Sequence, residues 1–262
     1  MQVWHARCCG VSPLLEYEPF GFFLGWSGQV WRWVVARQER AVRTRQKILV
    51  SAAEVFDEVG YEAATITDIL KKSGMTKGAL YFHFTSKEEL AQAVLAEQVL
   101  AMPLVPERDL KLQQSLDESL LLTYLLGRDT GDPIVQGSIR LTVDQGSPRD
   151  GLDRRVPMAG WIQHNVELLG EAKVRGEIMA DTDVTRVAKL MVGSFTGIQV
   201  LSRIMSDRTD MAERVIDLYR HVMPSIAMPA VLVRMDFTPT RGPEIYEAAM
   251  KLRGGAELVL PG

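Results

Sequence analysis

The chain has 262 residues, of which 47% are hydrophobic and 24% charged, with a formal net charge of −3. That is apolar material for one or two buried cores, and it excludes both a disordered composition and a uniformly basic nucleic-acid binder. The two cysteines, Cys8 and Cys9, are adjacent, and His5, His83, His164 and His221 show no ligand spacing, so no disulfide framework, metal or cofactor is expected and a reducing cytoplasm is the simplest home.

Charge is unevenly spread along the chain. Residues 1–36 carry two basic and two acidic side chains, residues 37–87 nine and six (+3), and the remainder 19 and 25 (−6). A basic segment on an acidic body suits a molecule with one end turned to DNA, although chance scatter gives a similar tally. The leading tail, residues 1–36, gathers Trp4, Trp26, Trp31 and Trp33 among glycines and a proline. It contains no apolar run near the roughly 20 residues of a membrane span, and no signal-peptide pattern. No membrane partner is expected.

Arg37, Arg40, Arg43 and Arg45 then form a basic arm of the kind that lies along phosphates, or simply a solvated helix start. It runs into a first helix predicted from about Thr44 to Val59. Ile48, Leu49, Ala52, Ala53, Val55, Phe56 and Val59 recur at three-and-four spacing, and Gly60 stands where a C′ glycine belongs. A short helix over Thr67–Lys72 follows, then a turn at Ser73-Gly74-Met75, then a second short helix opened by Thr76. Two short helices joined by a glycine-bearing turn of this length are the helix-turn-helix pattern. In the second of them Gly78 and Ala79 present little bulk to a groove, Lys77, Tyr81 and His83 reach toward phosphates, and Leu80 and Phe84 face inward. Ser86 and Glu89 then read as a capping box for a longer helix to about Met102.

The ungapped run Thr65-Ile66-Thr67-Asp68-Ile69-Leu70, Gly74 through Phe84 and Ser86-Lys87-Glu88-Glu89-Leu90 resembles the DNA-binding domain of TetR-family repressors. The resemblance implies an all-α chain, with an N-terminal three-helix DNA-binding domain over residues 37–87 and a C-terminal helical ligand-binding and dimerisation domain over residues 88–237. It implies Arg43, Arg45, Thr65, Thr67, Thr76, Lys77, Gly78, Ala79, Tyr81, His83 and Lys87 as candidate DNA contacts on a double-stranded, palindromic operator. Members of that family commonly begin close to the position of Val34 or Val35, so residues 1 to about 34 are expected to come from an over-extended gene start.

Downstream, amphipathic helices are predicted over residues 104–128, 134–144 and 157–175, with a mobile loop over 145–155. Two strongly apolar helices follow, one capped at Asp181, Thr182 or Asp183 and running to Met205, the other from Asp210 to Met228. Apolar on several sides, they are expected to meet the same pair from a second copy in a homodimer, or else to form the core of a monomer. Residues 238–262 read as an extension with a short helix.

Catalytic constellations are missing. Gly193-Ser194-Phe195-Thr196-Gly197 does not centre its serine as a nucleophile elbow must, and there is no phosphate-binding loop, so no enzyme is expected. Trp161 would by default be a core aromatic. Resemblance to γ-butyrolactone autoregulator receptors, which carry a pocket tryptophan shortly after a proline, makes it instead the candidate wall of an effector site; Gln98 and Thr196, hydrogen-bonding side chains in mainly apolar neighbourhoods, are the candidate polar groups. The implied function is a repressor released from its operator by a lactone-like small molecule. The same fold answering an antibiotic, a biosynthetic intermediate or an exporter substrate stays open, as does a helical enzyme or binding module that never meets DNA.

Overall fold

The computed structural model describes residues 27–144 and 150–257, and from Arg43 onward they form one compact unit. All regular structure among them is helical apart from one isolated antiparallel bridge between Ile178 and Ala227. Helix α1 spans Ser27–Ala63. It starts well before the expected Thr44 and takes in the end of the supposed tail, while residues 1–26, and with them most of the supposed over-extension, lie outside the described residues. Gly60 (φ 78°) interrupts it where the C′ residue was expected. Ile48, Leu49, Ala52, Ala53 and Phe56 are fully buried, whereas Val59 is 49% exposed and lies off the apolar face.

Local capping builds the next three helices. Thr65 caps α2 (Ile66–Ser73) in a reciprocal box with Asp68, and Gly74 closes it at φ 64°. Thr76 accepts from the Ala79 amide to open α3 (Lys77–His83). Ser86 accepts from the Glu89 amide to open α4 (Lys87–Ala101), but the Glu89 carboxylate reaches back to Thr85 rather than to Ser86, one residue further than a capping box requires. Phe56, Ile69, Leu80, Phe84, Leu90 and Val94 make one core, and Ile134 and Leu141 of α6 (Pro133–Val143) complete it. At the crossing of α6 and α1, a Cβ on Gly137 would stand 2.6 Å from the Ala53 Cα, so the two backbones touch there. The first core therefore does not end at residue 87.

The body is arranged about α5 (Lys111–Leu126), twelve of whose sixteen residues are buried. It begins later than expected, after the proline-bearing stretch at Pro103 and Pro106, and its N-cap Leu110 has no capping side chain. Buried Glu177 supplies the cap from afar, accepting from the Lys111 and Leu112 amides at 2.9 Å each. Packed against α5 are α7 (Arg155–Val174), α9 (Met211–Val222) and the last helix among the described residues, which spans Gly242–Glu257. Between α7 and α9 runs α8 (Val184–Ser206), capped by Asp183.

α9 stops at Val222 instead of reaching Met228, because Pro224 has no N–H to continue the ladder; a 3₁₀ turn (Met223–Ser225) and the short α10 (Pro229–Leu232) follow. α9 also keeps a polar side, burying Met211, Val215, Ile216 and Tyr219 while exposing Glu213, Asp217 and Arg220. The last helix becomes α11 in this count. Its Ile245 and Ala249 are buried, and its Tyr246 ring lies 5.0 Å from that of Tyr124, so these residues are part of the body and not an appended extension. Residues 145–149 of the expected loop lie outside the described residues.

Candidate functional site

The outer surface of α3 is where the sequence placed the reading head. Lys77, Gly78 and Tyr81 are exposed, with the Lys77 Nζ 5.8 Å from the Tyr81 ring centroid and open space beside Gly78. Ala79 and His83 are half-buried beside them. Phe82, which the sequence reading passed over, is 78% exposed on the same helix with its ring edge-on to His83 at 5.0 Å. Only its offset from Leu80 and Phe84 could have signalled it. Thr67 is exposed on α2, Arg43 on α1, and Thr65 and Thr76 sit at the exposed first turns of α2 and α3 with their hydroxyls serving as caps.

Two expected DNA contacts have partners within the protein, although the Arg45 side chain stays 42% exposed. Lys87 donates to the carbonyls of Tyr61 (2.8 Å) and Ala64 (3.0 Å) and lies 4.3 Å over the Tyr61 ring, so its charge finishes the C-terminal end of α1. Arg45 pairs with Glu97 at 3.3 Å and stacks over Phe84 at 5.3 Å, tying α1 to α4. Lys72 is likewise held by Glu54 and Glu58.

In the body, a cavity of about 720 Å³, counted with its solvent-filled mouth, lies between α5, α6, α7 and α8. Trp161 and Phe195 supply aromatic walls, and Met158, Met191, Leu122 and Ile139 line it further. Thr196 lines it too, but its hydroxyl donates its proton to the Val192 carbonyl at 2.8 Å and keeps only acceptor capacity for a ligand. Gln98 does not line it. That side chain is 1% exposed within α4, and its Nε2 has no hydrogen-bond partner.

The cavity's polar end comes from residues the sequence reading missed. The buried Tyr219 hydroxyl donates to the Ser115 carbonyl at 2.8 Å and lies within 2.9 Å of the Ser119 hydroxyl, and burial pushes its pKa up to about 12. His164 meets Glu118 at 2.6 Å, and this hydrogen bond raises the imidazole above its ordinary value. Because the folded-state pKa is the higher one, this pair's stabilisation is complete below the ordinary histidine pKa and is lost as pH rises through the raised one. Thermal melts of His164→Gln and the parent should therefore differ at about pH 5.5 and converge at about pH 8.5; a gap that widens toward alkaline pH would contradict the pairing. The position of His164, one turn from Trp161, was the available signal.

Residues 48–94 match the model of bacterial regulatory proteins of the tetR family. The A-factor receptor protein of Streptomyces griseus is 37% identical over 204 residues, which span 77% of this chain and 70% of the receptor. The chain belongs to the TetR family of transcriptional regulators. Consistently, the crystal structure of TylP, a TetR regulator from Streptomyces fradiae, superposes with a TM-score of 0.73 at 56% identity, covering 80% of this chain and 99% of that one. A TetR-family protein from Streptomyces coelicolor, CprB, solved with its biological operator sequence, superposes at 0.60 with 26% identity over 79% of this chain and 98% of that one. This TetR-family chain is thus a DNA-binding regulator and not an enzyme. Among its described residues no helix is long and apolar enough to cross a membrane.

Proposed function

We propose that this TetR-family chain is a ligand-responsive repressor that holds a palindromic operator as a symmetric dimer and lets go when a small lactone-like signalling molecule fills the cavity. The observation that carries the reading is the cavity itself, apolar and walled by Trp161, in a chain similar to an A-factor receptor. A flat indole beside aliphatic side chains suits a small ring bearing an alkyl tail, and the few polar groups orient it. The DNA-facing set is then Lys77, Gly78, Tyr81 and Phe82 of α3, supported by Thr67 and Arg43.

For the dimer, α8 offers an outward stripe of Leu190, Leu201 and Met205, exposed by 52–71%, with Gly193 and Gly197 open between them. Apolar surface of this extent on one helix is stabilised by a second copy related by a twofold axis. Two α3 helices would then meet half-sites roughly 34 Å apart. A ligand that favours another spacing of the pair releases both at once.

The test uses a synthetic γ-butyrolactone with a branched alkyl chain. Trp161→Ala should keep operator affinity and raise the lactone concentration needed for release by at least about tenfold, the cost of roughly 1.4 kcal/mol of lost contact. Release by the variant at parental concentrations would remove the assignment. The Glu118–His164 pair favours a second reading, an antibiotic or biosynthetic intermediate with more polar groups, for which such a compound replaces the lactone in the same assay.

A further inference from the structure

Beside the effector cavity lies a second chamber of about 430 Å³, counted with the open solvent at its mouth, formed by the end of α5, α6, α8 and the turn after it. The two share one wall, made by Ile139, Val143 and Gln199. Among the described residues three buried side-chain nitrogen or oxygen atoms have no hydrogen-bond partner, and two of them, Arg140 Nε and Gln199 Oε1, belong to residues that line this chamber. Gln199 is only 9% exposed. Buried polar atoms are nearly always satisfied, and two exceptions in the residues of one wall point to a missing partner, reached when either side chain turns, since both atoms are themselves covered.

The charge of the chamber says what that partner is. Arg140, Arg203 and Arg208 all line it. Arg203 and Arg208 converge on Asp57 of α1, at 2.6 and 2.8 Å, and Arg208 also donates to the Leu126 carbonyl at 3.1 Å. The acid beside Arg140, Asp144, stands 4.0 Å from its Nε, too far for a hydrogen bond. Three guanidinium groups thus face two carboxylates. Ile139, Val143, Val200 and Ile204 complete the lining with alkyl surface. We propose that the chamber is a second binding site, one for a small organic carboxylate, its anionic end on Arg140 and the Gln199 amide and its alkyl chain along these four side chains. Guanidinium suits a planar carboxylate, and the Gln199 amide, rotated to exchange the unpartnered oxygen for its nitrogen, donates to the same carboxylate. The apolar lining separates this ligand from inorganic phosphate, which has nothing to place there.

The site is tested by calorimetry on the full chain at low salt, with hexanoate, 1-hexanol and inorganic phosphate as probes. Hexanoate should bind saturably, one per protomer, at least about tenfold more tightly than hexanol or phosphate. Arg140→Gln should abolish that preference, and Gln199→Met, which keeps the shape and removes the amide, should weaken hexanoate severalfold; circular dichroism establishes that both variants are folded. Trp161→Ala should bind hexanoate as the parent does. Hexanoate bound no better than hexanol, phosphate bound as well, parental affinity in both polar variants, or loss of binding in Trp161→Ala would each overturn the assignment. None of these outcomes depends on operator release by a lactone, so the two proposals stand or fall separately.

Discussion

Valine in place of Gly137 is expected to cost the protein about 2 kcal/mol net and to lower its affinity for operator DNA. Two effects oppose each other at this position. Removing a glycine from a helix interior favours folding by roughly 1 kcal/mol or less for a β-branched residue. Against that, the new Cβ would lie 2.6 Å from the Ala53 Cα and 2.7 Å from its carbonyl carbon, which are backbone atoms of α1 and cannot rotate aside. Overpacking of this kind typically costs about 1–3 kcal/mol, and a branched side chain lies at the upper end. The clash wins, and α6 and α1 must separate. Urea denaturation should show the midpoint falling, and operator titration should show weaker binding, because α1 carries the first core. Gly170→Ala is the control, since nothing stands within 4 Å of its Cβ position and helix propensity alone should act. If Gly137→Val melts with the parent, the two helices do not meet as described.

Lys77→Ala and Tyr81→Ala are each expected to weaken operator binding about tenfold, through different physics. Lys77 is a solvated cation at the first turn of α3, so its loss should weaken binding to every duplex alike and reduce the salt dependence by about one released counterion per protomer. Tyr81 is 42% exposed, and the Lys77 ammonium stands 5.8 Å from its ring centroid. Tyr81→Phe separates the hydroxyl from the ring: an effect equal to that of alanine assigns the contact to the hydroxyl. Lys87→Ala supplies the contrast. Its ammonium is engaged by two carbonyls of the preceding helix end, so the variant should lose stability and keep the parental salt slope. Filter binding at a series of salt concentrations reads all of these. A Lys87 slope that falls as far as that of Lys77 would reverse the distinction.

The helix-turn-helix was legible in the sequence because its causes are local. Thr65, Gly74, Thr76 and Ser86 act on amides and carbonyls within three or four residues, a range at which residue type and spacing carry the information. Whether a cation faces DNA is a different kind of fact. Lys87 is claimed by Tyr61, 26 residues away, and Arg45 by Glu97, 52 away, and neither distance leaves a trace in local pattern. The cap on α5 is more remote still, since Glu177 lies 66 residues past the amide it accepts. Of the two polar groups expected at the cavity, Thr196 lines it and Gln98 does not, while Gln199, three residues beyond Thr196 on the same helix side, was within reach of the same reasoning. The end of α9 was legible as well, in Pro224, but the apolar residues beyond it suggested a continuation that a missing N–H forbids.

α5 forms the floor of the Trp161 cavity through Ser115, Glu118, Ser119 and Leu122, and it is also the element against which α7, α9 and α11 rest. A guest pressing on that floor therefore has no peripheral part to displace. With so few outward residues, α5 cannot slip or fray without stripping its neighbours of their support, so the body answers as an undivided piece. α6, which lines the same cavity, is laid by its other side directly on α1, the helix that carries the basic arm.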